Sequence, residues 1–117
     1  ARASRLSRRS DFEALRHNGV FRAHQLVALR AARNGLPYSR LGFIVGRRVN
    51  KKATARNLIR RRMREISRAA SIADGWDIVF IGRFKANEAS FSELQDAMLN
   101  LGRRAQILMP NESSKVG

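Results

Sequence analysis

The sequence predicts an α+β fold of element order αβββαβα, a single domain in which a central mixed sheet carries one long basic helix in a crossover between two strands. Three observations lead there. Apolar residues recur at helical spacing in three segments and form short continuous blocks in four others. The longest helical segment lies between two of those blocks, which implies a crossover and placement of both strands in one sheet. Two Ser-x-x-Glu capping boxes, Ser10/Glu13 and Ser90/Glu93, mark helix starts. A chain of 117 residues suits one domain with one core.

Taken in order, residues 1–9 form a basic arm, expected to stay extended or mobile until it meets a partner. A helix of about two turns opens at Ser10, turns Phe12 and Leu15 inward, and stops at Asn18-Gly19. Strand-forming residues follow at 20–22 and 26–30, with a break near Ala23-His24-Gln25. Asn34-Gly35 and Pro37 then reverse the chain into a buried strand over 40–46, expected to pair antiparallel with the strand before it. The long helix runs from Ala53 to about Ile72, and Asp74-Gly75 turns into a strand over 76–82. In the last helix Phe91, Leu94, Ala97, Met98, Leu101 and Ala105 recur at helical spacing. Residues 110–117 are expected to be a flexible tail.

Composition narrows the function. With 24 Lys+Arg against 9 Asp+Glu, the net charge is +15 and the pI about 11.9, which points to nucleic acid or an anionic membrane. A hydrophobic content of 44% rules out a wholly disordered basic tail. The chain has no cysteine, hence no disulfide framework and no thiolate metal site. There is no apolar run of membrane-spanning length, and the basic first ten residues are not followed by an apolar block. A soluble, cytoplasmic protein is expected.

The charge concentrates between Arg47 and Arg64, where Arg47, Arg48, Lys51, Lys52, Arg56, Arg60, Arg61, Arg62 and Arg64 occur without one acid. On a wheel of about 100° per residue, Ala55, Leu58, Ile59, Met63, Ile66, Ala69 and Ala70 share an arc of roughly 140°. Arg56, Arg60, Arg64 and Arg68 form a stripe beside it, flanked by Asn57 and Arg61. Like charges at this spacing destabilise a helix by roughly 0.2–0.5 kcal/mol per pair. A merely solvated face would intersperse glutamates. The preference for Arg over Lys points to phosphate, whose oxygens a guanidinium fork binds in pairs. Arg47, Arg48, Lys51 and Lys52 precede the helix N-terminus, where the dipole already attracts anions. A membrane-surface role would need aromatic anchors opposite the charges, and this helix has none.

Nothing suggests that the chain itself is a nuclease. Metal-dependent hydrolysis needs convergent carboxylates or histidines, and the acids are scattered. Asp74 fits a turn and Asp77 a strand edge. His17 fits a helix C-terminus, where a cation is favourable, and structural or RNA-contacting roles suit His17 and His24 better than a general acid/base pair. No metal site and no bound cofactor are predicted for the protein. Phe21, Phe43, Phe80, Phe84, Phe91 and Trp76 are expected in the core.

The segment Arg56-Asn57-Leu58-Ile59-Arg60-Arg61-Arg62-Met63-Arg64-Glu65, preceded by Leu41-Gly42-Phe43-Ile44-Val45-Gly46-Arg47-Arg48 and Ala53, resembles the bacterial ribonuclease P protein subunit. Arg5-Leu6, Asp11-Phe12, His17 and the element order extend the likeness over nearly the whole chain. The resemblance implies an accessory protein: a catalytic RNA with bound Mg²⁺ cuts precursor tRNA, and the protein helps hold that RNA and the 5′ leader. It implies that the arginine-rich helix face touches the catalytic RNA, and that the leader lies in a cleft between the first helix and a sheet face, at Phe12, Val27 and Leu29. It also implies a left-handed crossover, against the usual right-handed rule. The alternative is a ribosomal-type RNA-packing protein with no cleavage partner.

The sequence departs from the family pattern in places. Leu58 stands where the family's R-N-R motif has its second arginine, and Arg62 stands at a usually apolar position one turn later. The expectation is that Leu58 packs inward while Arg62 lays its stem along the core edge and supplies the missing charge. Arg16 and Leu29 replace frequent aromatics, so the cleft would depend less on stacking and more on charge.

Overall fold

The computed structural model describes residues 3–6 and 9–109. Five strands form one mixed sheet of spatial order β1-β4-β5-β3-β2, with β1 at Ala3–Arg5, β2 at Val20–Ala23, β3 at Val27–Arg33, β4 at Ser39–Ile44 and β5 at Trp76–Gly82. Helices α1 (Arg9–Asn18), α2 (Ala53–Ala69) and α3 (Phe91–Ala105) lie in the expected order. A short 3-10 turn, Phe84–Glu88, separates β5 from α3.

β5 organises the sheet. Its Ile78, Val79 and Phe80 are at most 3% exposed, so the strand needs cover on both faces and neighbours on both edges. It pairs antiparallel with β3 and parallel with β4, and the parallel pair requires the crossover that α2 provides. The expected antiparallel pairing of β3 with β4 is therefore corrected: β5 is inserted between them. The basic arm is corrected in part, because β1 pairs in parallel with β4 and Leu6 is buried, its amide donating to Leu41 O at 2.8 Å. Residues 1–2 and 7–8 of that arm, and the tail 110–117, lie outside the described residues.

The helix starts differ in kind. α3 has the complete capping box: Glu93 N donates to Ser90 Oγ and Ser90 N to Glu93 Oε1. In α1 the helix begins at Arg9, so Ser10 lies inside the first turn and does not cap it. Glu13 instead meets Arg9 one turn earlier, at 3.5 Å. α2 ends at Ala69, short of Ile72.

Strand alternation divides the core in two. One face presents Val27, Leu29, Ala31, Leu41, Ile78 and Phe80 to α2 and α3, forming the larger core with Ile59, Met63, Ile66, Leu94 and Leu101. The opposite face carries α1, where Leu15 and the partly buried Phe12 pack with Leu6, Val79, Ala32 and Ile81. Phe12 needs Gly42 beneath it. A Cβ at that position would lie 3.0 and 3.2 Å from two of its ring carbons.

Asp77 is not a strand-edge charge. It sits on the central strand, 9% exposed, gripped in two places by Arg40 (Nε–Oδ1 2.8 Å, Nη2–Oδ2 2.6 Å), and it accepts a further bond from Asn34 Nδ2 at 2.9 Å. Burial pushes its carboxyl upward, but the hydrogen bonds from Arg40 and Asn34, with the Arg40 charge, bring it below the ordinary carboxylate value. A carboxylate so depressed adds stability above its unfolded pKa and loses it as pH falls through the folded value. Melting temperature should accordingly fall more steeply below about pH 4 in the parent than in Asp77→Asn. At neutral pH, removing this one partner should cost about 3 kcal/mol by denaturant unfolding.

Candidate nucleic-acid interface

After β4 the chain forms a loop, residues 45–52, that is anchored at its middle and open at its cations. Val45 and Val49 are buried, Val49 N donates to Gly46 O, and Asn50 Nδ2 donates to Asn87 Oδ1 at 2.8 Å. Arg47, Arg48, Lys51 and Lys52 are all exposed. Asn50 Oδ1 accepts from Lys52 N at 2.9 Å and sets the turn into α2. No side chain caps this helix start and its first turn has no acid. The positive end of the helix dipole and four cations therefore share one corner of the molecule.

α2 is rolled relative to the expectation. Its buried residues are Ile59, Met63, Ile66 and Ser67, whereas Leu58 is 37% exposed and Ala69 is exposed. On the wheel this moves the buried arc by about 60° toward the arginine stripe. The stripe itself explains the roll, because its guanidinium groups find acceptors on the adjoining loop and strand. Arg56 Nη1 donates to Asn50 O and Lys51 O at 3.0 and 2.9 Å. Arg60 donates to Val45 O at 3.3 Å and to Asn57 Oδ1, and the Arg64 guanidinium lies 5.4 Å from the centre of the Phe43 ring. Carbonyl dipoles and a ring face thus stand in for the missing acids.

The stripe divides accordingly. Arg56, Arg60 and Arg64 are half-buried at the border with the sheet, while Asn57, Arg61 and Arg68 are exposed. Arg62 lies on the other flank, its stem partly buried and its Nη1 3.4 Å from Ala89 O. It reaches a backbone carbonyl rather than a carboxylate. The inward packing expected of Leu58 is corrected by its exposure. Among the described residues, no cation between Arg47 and Arg68 forms an ion pair.

The second group of site candidates does not assemble as expected. Phe12 and Arg16 lie on α1, on one face of the sheet, but Val27 and Leu29 are completely buried in the larger core on the other face. The residues of β3 that share the α1 face are Ala28, Arg30 and Ala32, by their register with Ile81, Val79 and Asp77. Beyond α1 that face leaves Ile44 41% and Phe21 45% exposed, with Arg30 stacked over the Phe21 ring at 4.7 Å. Ordinary strand alternation around Arg30 is the signal for this face. The signal for the Arg40–Asp77 pair is an acid within the most apolar strand, which requires a buried partner. Three of the aromatics expected in the core are exposed instead: Phe21 and Phe91 at 45% and 38%, and Phe84 at 66% between Arg83 and Lys85. No cluster of three or more His, Asp or Glu suited to a metal occurs among the described residues, nor is any described helix long and apolar enough to cross a membrane.

Two thermal melts separate the anchored from the outward arginines. Arg60→Ala should lose about 1 kcal/mol with its carbonyl contact. Arg61→Ala should stay within about 0.5 kcal/mol of the parent.

Comparison with known proteins agrees with this architecture. A family model described as Ribonuclease P matches residues 1–106. The ribonuclease P protein component of Dehalococcoides mccartyi is 38% identical over 106 residues, covering 91% of this chain and 88% of the relative. That of Roseiflexus castenholzii is 40% identical over 110 residues, covering 92% and 89%. Among solved structures, the RNase P protein from Thermotoga maritima superposes with a TM-score of 0.78 at 36% identity, covering 86% of this chain and 96% of that one. The chain belongs to the family of bacterial ribonuclease P protein components.

Proposed function

We propose that this protein is the RNA-binding subunit of a bacterial ribonuclease P, assisting a catalytic RNA in removing the 5′ leader from precursor tRNA. The observation that carries the proposal is the corner formed by the loop 45–52 and α2. Arg47, Arg48, Lys51, Lys52, Arg61 and Arg68 present exposed positive charge there, with no carboxylate paired to them among the described residues. Arg56, Asn57, Arg60, Arg62 and Arg64 complete the proposed contact with the catalytic RNA. A guanidinium has five donors, so a carbonyl bond leaves others to meet phosphate.

The groove beside α1 is the proposed place of the leader. Phe12 and Arg16 form its wall. The exposed Phe21 and Ile44, with the half-buried Arg30, replace Val27 and Leu29 as its floor, offering an aromatic face, an aliphatic surface and a cation to a single strand. Bond cleavage belongs to the RNA and its Mg²⁺, with the protein positioning and neutralising phosphate. Family membership leaves the ribosomal-type reading without support. A cytoplasmic location follows from this proposed role.

Added to a bacterial ribonuclease P RNA at low Mg²⁺, the purified protein should raise cleavage of precursor tRNA at the mature 5′ end. Protein alone should cleave nothing. Equal cleavage with and without the protein, or cleavage by protein alone, would overturn the proposal.

A further inference from the structure

Two consecutive residues of α1 fasten that helix to one strand. Asp11 Oδ1 lies 3.5 Å from Arg40 Nη2, with the two side chains 18% and 26% exposed. Phe12 packs on Gly42, two residues further along β4 and on the same face of the sheet. Arg40 is itself immobilised by its two bonds to Asp77, which Asn34 supports from the loop after β3. A side chain with this many fixed partners is a rigid reference point. The Asp11 contact therefore ties the start of α1 to the central strand.

The chemistry of Asp11 is otherwise out of place. It is a partly buried acid on a helix that faces the proposed RNA groove of a protein with net charge +15. Any anion nearby weakens phosphate binding. Arg40 already has a carboxylate partner in Asp77 and does not require a second one for neutrality. The contribution of Asp11 is then geometric: it sets the position of α1, and with it Phe12 and Arg16, over the exposed floor at Ile44 and Phe21.

We infer that Asp11 is a positioning residue for single-stranded RNA in this groove, acting through Arg40 and together with the seating of Phe12 on Gly42. The inference rests on the proposed leader site. It also makes a prediction opposite in sign to simple electrostatics. Asp11→Asn removes one negative charge, so charge alone would tighten RNA binding, whereas loss of position loosens it.

The test uses the complex with a ribonuclease P RNA and compares its affinity for precursor tRNA with that for the same tRNA lacking its leader. The ratio measures the leader contribution. Asp11→Asn should lower that ratio by about threefold, the scale of one partly exposed ion pair. Asp11→Glu should recover most of it. Affinity of the protein for the catalytic RNA should not fall, because α2 lies on the other face of the sheet. Gly42→Ala, which pushes directly on the Phe12 ring, should change the ratio in the same direction as Asp11→Asn. An unchanged or raised ratio in Asp11→Asn, with a lowered ratio in Phe12→Ala, would overturn the inference and leave the groove standing. If Phe12→Ala and Arg16→Ala also leave the ratio unchanged, both the inference and the groove fail.

Discussion

The parallel pairing of β4 with β5 is the constraint on which the rest depends. Parallel neighbours cannot be joined by a tight turn, so the chain between them must leave the sheet, cross a face and return. Here that connection holds both the loop 45–52 and α2, and it delivers them to one corner of the molecule. Placing β5 at the centre also separates β3 from β4 and gives each face its own cover. α2 and α3 seal one side. The shorter α1 leaves part of the other side open.

Within that frame, the cost of crowding arginines on one helix is met locally. Arg56 and Arg60 use carbonyls of the loop that precedes their own helix, and Arg64 uses the ring of Phe43. These contacts fasten the loop to α2, so the exposed cations on both belong to one rigid surface. A surface that is rigid before binding has less entropy to lose on meeting its partner. The same contacts roll the helix and leave Arg61 and Arg68 exposed.

The sequence made the local structure legible and the non-local structure less so. β5 and α3 follow from a bounded apolar run and a capping box, and both lie where those signals put them. The start of α2 at Ala53 was equally plain. The neighbour of β3 was not, since nothing in residues 26–46 reveals that a strand over 30 residues later will be inserted beside it. A wheel does not show the roll of α2, because it ranks side chains by polarity while Arg56 and Arg60 are half-buried on backbone acceptors that a wheel does not contain. Resemblance points to Val27 and Leu29, whereas alternation assigns Arg30 to the open face. The Asp11–Arg40–Asp77 cluster joins three distant segments. Only the oddity of an acid within an apolar strand hints at it.

The central claim is that the outward cations of the loop and of α2 form one phosphate-binding surface, and the salt dependence of RNA affinity tests it most directly. If Arg47, Arg48, Lys51, Lys52, Arg61 and Arg68 each neutralise a phosphate, the slope of log affinity against log salt should be roughly −4 to −5. Arg61→Ala and Arg68→Ala should each flatten it by about 0.7–0.9 without lowering the melting temperature. A slope near zero, or one that these substitutions leave unchanged, would contradict the account.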